Sequence, residues 1–373
     1  MRELIVKPEI CGFETFSEFA AEYGIGPRDL ILTNSYILEK YVQELNLQAN
    51  VIYQERYGSG EPSDEMFEAI YSDIPDLNSY SRVIGIGGGT VQDLSKLLVL
   101  EQCLPLEDLF LKKFPPRKNK ELILIPTTCG TGSEVTNISI LSFCRKNTKI
   151  GLAADELYAD QAVLIPQFLE GLPFSAFAAS SVDALIHAVE SGLSPKATPY
   201  TRLFGDRAME LILNGYKVMV KEGMEARKKR LKDFLIASNF AGIAFGTAGC
   251  GPVHALSYPL GGTFHVPHGE ANYAIFSGVI RMYEKKGGTD SVERMKRKIG
   301  EILSCSTEEA FEELDKLLSH ILSKKCLKDY GADRELLEQW SESVEKSQQR
   351  LLKNSPIALD QKDFLEIYHW LYE

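Results

Sequence analysis

The sequence predicts two domains of different class: a doubly wound α/β domain with a parallel sheet over residues 1–172, then an all-helical domain over residues 173–373. Three observations predict this. The chain has 373 residues, a length that suits two domains at roughly 100–200 residues each. Up to Leu172, short apolar runs alternate with amphipathic stretches, the pattern of strands and helices in a parallel sheet. After Pro173 the strand signal nearly disappears and helical periodicity takes over.

In chain order, Leu30–Thr33, Val51–Tyr53, Val83–Ile86 and Leu122–Ile125 are short, apolar and mostly β-branched, as buried parallel strands are. Val91, Leu94, Leu97 and Leu98 are spaced to lay one apolar stripe on a sheet. Beyond the boundary, Ala184–Ser191, Phe204–Met219 and Glu308–Leu322 combine helical periodicity with good helix formers. No long linker separates Leu172 from Pro173, so a cleft between packed domains is the expected place for a ligand.

Composition narrows the function classes. Hydrophobic residues are 44% and charged residues 25%, which excludes wholesale disorder. The net charge of −11 gives no general attraction for nucleic acid or for an anionic membrane. The stretch MRELIVKPEI is charged throughout and lacks the features of a signal peptide, and no apolar run is long enough to cross a bilayer. Seven cysteines are scattered, without a CxxC, which fits buried thiols in a reducing, cytoplasmic setting better than disulfides or a thiolate zinc site. A small-molecule enzyme, forming a homo-oligomer as metabolic enzymes commonly do, is the class that remains.

Two loops follow predicted strands. Gly85-Ile86-Gly87-Gly88-Gly89-Thr90 enters an amphipathic helix, where glycines let backbone approach a pyrophosphate and unpaired amides face its charge. Thr90 breaks the strict GxGxxG pattern, and a tight packing turn is the competing reading. Pro126–Thr136, PTTCGTGSEVT, is a second loop dense in hydroxyls and glycine, again at a carboxyl end of a strand, where open α/β sheets bind ligands.

Four of the six histidines fall in two segments of the helical half. Asp183 and His187 are four residues apart, so a helix presents both on one face. His254, His265 and His268 lie in HALSYPLGGTFHVPHG. One carboxylate with several imidazoles in apolar surroundings suits a divalent first-row metal, because burying such groups unpaired is costly.

These segments together resemble the iron-activated, group III alcohol dehydrogenases. GGGTVQDLSK (Gly87–Lys96) is similar to the family signature GGGSxxDxxK, PTTCGTGSEVT to its second signature, and VDALIHAVES and HALSYPLGG…PHG to its metal-binding segments. The resemblance implies a Rossmann-like domain followed by a helical metal-binding domain, the dehydroquinate synthase-like architecture. It implies that Asp183, His187, His254 and His268 hold the metal, Fe²⁺ or, with the same donors, Zn²⁺. It implies that Gly87, Gly88, Gly89 and Thr90 bind the pyrophosphate of NAD, with Thr127, Thr128, Thr136 and Lys149 lining the rest of that site. The activity it implies is hydride transfer between the nicotinamide and a primary alcohol. YGSGEPSDEM, ASNFAGIAFG and FHVPHGEANY point within the family to 4-hydroxybutyrate, interconverted with succinate semialdehyde. Other primary alcohols or polyols are alternatives, and a non-catalytic nucleotide- and metal-binding protein is a remote one.

The chain departs from the family at three positions. Asn34 stands where an Asp usually meets the adenosine ribose, so NADP stays open beside NAD. Tyr258 replaces a histidine one turn after the third ligand, and His265 replaces a neutral polar residue. These two are the candidates to receive the substrate carboxylate or relay a proton; the other reading is that they only shape the pocket. Asp93 has two readings as well: contact with the cofactor, or a surface ion pair with Lys96 at i,i+3.

Overall fold

The structure is a computed structural model that describes residues 3–146 and 148–373, so the first two residues of the N-terminal stretch lie outside it. It divides into two compact units, Val6–Leu172 and Pro173–Glu373, and the second also takes the residues up to Ile5. The N-terminal stretch therefore differs from the expected boundary. Glu3 accepts from the Thr198 hydroxyl through its carbonyl at 2.8 Å, and the Ile5 amide donates to Thr247 Oγ1 at 3.3 Å.

Among the described residues the first unit contains eight strands: β1 (Glu9–Gly12), β2 (Asp29–Thr33), β3 (Asn50–Tyr53), β4 (Arg82–Gly87), β5 (Glu121–Pro126), β6 (Ile138–Phe143), β7 (Thr148–Ala153) and β8 (Gln161–Leu164). Its helices are α1 (Phe16–Tyr23), α2 (Ser35–Glu44), α3 (Asp64–Ser72), α4 (Gly89–Leu98) and α5 (Leu106–Phe110). Six strands form one parallel sheet in the order β1-β8-β5-β4-β2-β3.

Strand side chains alternate between two apolar layers, as the two-residue period requires. Leu30, Leu32, Val83, Leu122 and Leu124 join Phe67, Leu94 and Leu109 of α3, α4 and α5 on one side. Ile31, Ile84, Ile86, Ile123 and Ile125 join Phe16 and Phe19 of α1 and Leu38 of α2 on the other. The doubly wound sheet expected from the sequence is thus present with all four predicted strands in it, but β3 is an edge strand and half-buried rather than buried. The sequence reading missed β1, β8 and the antiparallel β6–β7 hairpin. β1 and β8 have only four residues each, and β1 is an edge strand with Ile10 exposed. In the hairpin, Ile138–Phe143 alternates half-buried and buried positions, a period that the order Ile-Ser-Ile-Leu-Ser-Phe does not show because Ser139 takes a buried place and Ile138 and Ile140 half-buried ones.

The second unit is helical throughout its described length: α6 (Phe174–Leu193), α7 (Pro199–Glu222), α8 (Leu231–Ala248), α9 (Pro252–Phe264), α10 (His268–Lys285), α11 (Asp290–Leu303), α12 (Ala310–Ile321), α13 (Arg334–Ser347), α14 (Gln349–Leu352) and α15 (Gln361–Trp370). α6 is buried on every side from Ser181 to Leu193, as a helix apolar all round must be. Three titratable groups, Asp183, His187 and Glu190, are embedded in that stretch. No single helix among the described residues is long and apolar enough to cross a membrane, although the bent pair Met224–Ala248 and Pro252–Phe264 reaches that length and composition jointly.

No disulfide joins any of the seven cysteines, all of which lie among the described residues. The expectation of buried thiols holds for Cys103 and Cys129 only; Cys144 is exposed and the others are half-buried.

Candidate active site

In the α/β unit the glycine turn joins β4 to α4, and the second loop follows β5, its neighbour in the sheet. The amides of the first helical turn of α4 have no intrahelical acceptor, so they are available to an anion. The two loops are locked together. Thr127 N donates to Gly87 O at 3.2 Å, and a Cβ on Gly89 would fall 2.8 Å from Thr131 Cγ2, so only glycine permits this approach. Thr90 Oγ1 donates to Gly60 O at 2.9 Å.

Lys96 is fully buried, which corrects the reading of a surface pair with Asp93. Its ammonium donates to Ser133 Oγ (2.6 Å), Ile138 O (2.7 Å), Thr136 Oγ1 (3.2 Å) and Asp93 Oδ1 (3.5 Å). Burial holds the Lys96 pKa below the ordinary lysine range, with Asp93 and Glu134 offsetting part of that effect. The Asp93 carboxylate also accepts from Ser133 Oγ (2.6 Å) and Ile140 N (2.9 Å). Asp93 and Lys96 thus pin α4 to the second loop and to β6. Lys149, on β7, is ion-paired with Glu61.

In the helical unit four side chains converge. α6 supplies Asp183 and His187, the first turn of α9 supplies His254, and His268 opens α10. One donor atom from each lies within 4.8 Å of all the others. His187 Nε2 and His254 Nε2 are 2.9 Å apart, and Asp183 Oδ1 is 3.9 Å from both His254 Nε2 and His268 Nε2. Asp183, His187 and His254 are buried and His268 is half-buried, so the cluster is open on one side.

Local packing explains the convergence. A Cβ on Gly269 would sit 2.0 Å from Ala179 O, so glycine is needed for the start of α10 to lie against α6. The imidazole of His187 stacks between Phe245 and His254, with ring centroids at 4.3 and 4.6 Å. Burial pushes the Asp183 carboxyl up, but the imidazoles of His187, His268 and His254 and the Asn272 amide outweigh it and hold it below the usual aspartate range. One carboxylate and three imidazoles, converging and open on one side, fit a divalent metal with a vacant coordination position.

The comparisons with known proteins agree on the family. Residues 10–166 match the family described as iron-containing alcohol dehydrogenase, and residues 177–372 match the Fe-containing alcohol dehydrogenase family, C-terminal. The chain belongs to the iron-containing alcohol dehydrogenases. It is 48% identical over 372 residues, covering 100% of both chains, to a 4-hydroxybutyrate dehydrogenase of Clostridium kluyveri. It is 36% identical to long-chain-alcohol dehydrogenase 1 of Geobacillus thermodenitrificans, over 78% of this chain and 74% of that one. In fold it resembles a sulfoacetaldehyde reductase from Bifidobacterium kashiwanohense in complex with NAD+, with a TM-score of 0.85 at 22% identity over 100% and 99% of the two chains.

As a member of this family of oxidoreductases, the chain carries two polar residues around its cluster that sequence reasoning missed. Glu190 is buried and accepts from His254 Nδ1 (2.6 Å), Val253 N (2.7 Å) and Gly251 N (3.0 Å), so it caps α9 while gripping the histidine. Asn272 donates from Nδ2 to Asp183 Oδ1 at 2.7 Å and accepts from Ser257. Spacing could have found both: Glu190 is three residues after His187, and Asn272 four after His268, each on the ligand-bearing face. Of the remaining sequence candidates, Tyr258 has its ring centroid 6.2 Å from that of His268. His265 is exposed and ends α9 in a left-handed conformation, φ 53°. Asn34 precedes α2 and donates to Gln54 Oε1 and Glu55 Oε2, both at 3.1 Å.

Proposed function

We propose that this dehydrogenase interconverts 4-hydroxybutyrate and succinate semialdehyde with NAD as hydride carrier. The reaction class rests on the buried Asp183–His187–His254–His268 cluster, and the substrate on the identity along the whole of both chains with the Clostridium kluyveri enzyme. In the oxidation, hydride leaves the carbinol carbon for the nicotinamide and the hydroxyl proton is released; the reduction is the reverse.

Asp183, His187, His254 and His268 would hold the metal, iron by family and zinc as the alternative. Bound there, the metal supplies Lewis acidity, which acidifies the alcohol hydroxyl and polarises the aldehyde carbonyl. Asp183 offsets part of the cation's charge, and Asn272 fixes the orientation of its carboxylate. Glu190 holds the proton of His254 on Nδ1, so that the Nε2 lone pair faces the cluster.

Gly87, Gly88, Gly89 and Thr90 would receive the pyrophosphate on backbone amides, with Thr127 and Thr128 beside them. Lys96 and Asp93 keep the second loop in place. A substrate carboxylate entering a dry site needs a cation or donors. Tyr258 and His265, both close in sequence to His268, are the groups assigned to it. Cytoplasmic location and a homo-oligomeric state complete the reading, the first supported by seven scattered cysteines that form no disulfide among the described residues.

The test is an anaerobic assay with Fe²⁺, following nicotinamide absorbance with succinate semialdehyde, butanal and glyceraldehyde, each with NADH and with NADPH. Preference for the semialdehyde with NADH is expected. Equal turnover of butanal would remove the named substrate and keep the dehydrogenase. No turnover of any aldehyde by metal-loaded protein would remove the reaction class.

A further inference from the structure

Asn34 lacks the charge by which a dinucleotide fold distinguishes a ribose hydroxyl from a phosphate, yet the structure brings a carboxylate to the same place. Glu55 lies just beyond β3, and β3 pairs with β2 in parallel register. Its side chain reaches back to the end of β2. Glu55 Oε1 accepts from Ser35 N at 2.8 Å and from the Ser35 hydroxyl, and Oε2 accepts from Asn34 Nδ2 at 3.1 Å. The side chain is exposed, and Oε2 keeps a lone pair that these bonds do not use.

The position is significant because β2 is the sheet neighbour of β4, which carries the glycine turn. When a pyrophosphate sits on such a turn, the adenosine ribose lies over the carboxyl end of the adjoining strand, where an acidic side chain binds the 2′-hydroxyl. Thr33 Oγ1 ties the end of β2 to β4 by donating to Ile86 O at 2.8 Å; the segment after β3 is closed by Gln54 Nε2 on Gly58 O at 2.9 Å and is held to α4 by Thr90 Oγ1 on Gly60 O at 2.9 Å.

We propose that Glu55 is the residue that selects NAD over NADP: its carboxylate accepts the ribose 2′-hydroxyl and repels a 2′-phosphate. The proposal rests on the reading of the glycine turn as a dinucleotide site. Burial pushes the Glu55 carboxyl up, but the Ser35 and Asn34 hydrogen bonds outweigh it, so the group is ionised at neutral pH. Asn34 becomes a positioning residue, an amide that donates to the new carboxylate where a second acid would repel it.

A neighbouring cation has to be weighed, since an arginine in this region is what accommodates a 2′-phosphate. Arg56 follows Glu55, but its guanidinium lies 5.0 Å from the ring centroid of Tyr53. It lines a cavity of about 400 Å³ with Asn50, Tyr57, Asp73 and Tyr80, and neither Ser35 nor Glu55 is among the walls. The carboxylate, not the guanidinium, is at the end of β2.

The test is direct titration of the metal-loaded protein with NADH and NADPH, read as nicotinamide fluorescence, for wild type, Glu55→Gln, Arg56→Ala and the double variant Asn34→Asp/Glu55→Gln. Wild type should bind NADH about tenfold or more tightly than NADPH, the size of effect expected for one charge against a phosphate at an exposed site. Glu55→Gln should bring the two affinities together, Arg56→Ala should leave the ratio in place, and the double variant should restore it. An unchanged ratio in Glu55→Gln, with NADH still bound, overturns the role of Glu55 alone. Failure of wild type to bind either dinucleotide overturns the site itself and this proposal with it.

Discussion

His254 and Glu190 form a buried hydrogen bond of 2.6 Å through Nδ1, which leaves Nε2 of the same ring 2.9 Å from Nε2 of His187. One side of the imidazole is thereby committed to a carboxylate and the other to the cluster. Because Glu190 is on α6 with Asp183 and His187, a single helix sets two donors directly and orients a third.

Replacing Glu190 by Gln should weaken metal binding by about 10–100-fold, the usual effect of removing a partner that orients a ligand. A neutral amide can accept from only part of the set Gly251 N, Val253 N and His254 Nδ1. Competition with a chelator measures the affinity, and the melting temperature of the metal-free variant reports the fold separately. Unchanged affinity would show that Glu190 serves only as the cap of α9.

Metal removal should lower thermal stability as well as activity, because three of the four donors are buried and a cation that binds only the folded chain stabilises it by mass action. Asp183→Ala should fail to retain stoichiometric metal through dialysis. If iron is the native metal, activity should decay in air and return with ferrous salt. Air-stable activity restored best by zinc would assign zinc instead.

Lys96 gives a pH dependence of defined sign. Its folded pKa is lowered by burial while the unfolded value is the ordinary 10.5, so between the two the unfolded chain binds more protons and stability rises with pH. Lys96→Met should be destabilised by about 3 kcal/mol at pH 7, because it leaves Asp93 without its cation. The gap to wild type in denaturant midpoints should widen as pH rises toward 10.5. A gap that narrows instead would be the behaviour of a strengthened ion pair and would contradict the burial-dominated account.

His265→Ala should reduce kcat/KM for 4-hydroxybutyrate by about tenfold, one charge-assisted hydrogen bond at an exposed position, while 1-butanol oxidation stays within about twofold. Equal losses on both substrates would exclude carboxylate recognition by His265.

Much of this molecule was legible in the amino-acid order. β2, β4 and β5 were readable because each is a short apolar run that near-continuous burial requires, β3 because it is a short apolar run although it lies half-buried at the sheet edge, and α4 because its stripe is regular. β1 and β8 were not, since a four-residue strand carries too few side chains to establish a period. The Asp93–Lys96 pair shows the limit of spacing. Three residues along a helix predict contact between the two, but a solvated face and a face covered by a loop are indistinguishable until Ser133 and Ile138 are placed over it.

The change from strand to helix near Pro173, the two loops after strands, and the gathering of four histidines into two segments, one of them with Asp183, are written in the amino-acid order. These are local properties, set by periodicity and by residue type over a few turns. That Glu190 grips His254 from 64 residues away, that Asn272 holds Asp183, and that Glu55 reaches from the end of β3 to the end of β2 follow from the packed fold alone. A hydrogen bond between distant segments depends on where the packed elements bring their side chains, and that position is a sum over the whole fold rather than a property of either residue's neighbours.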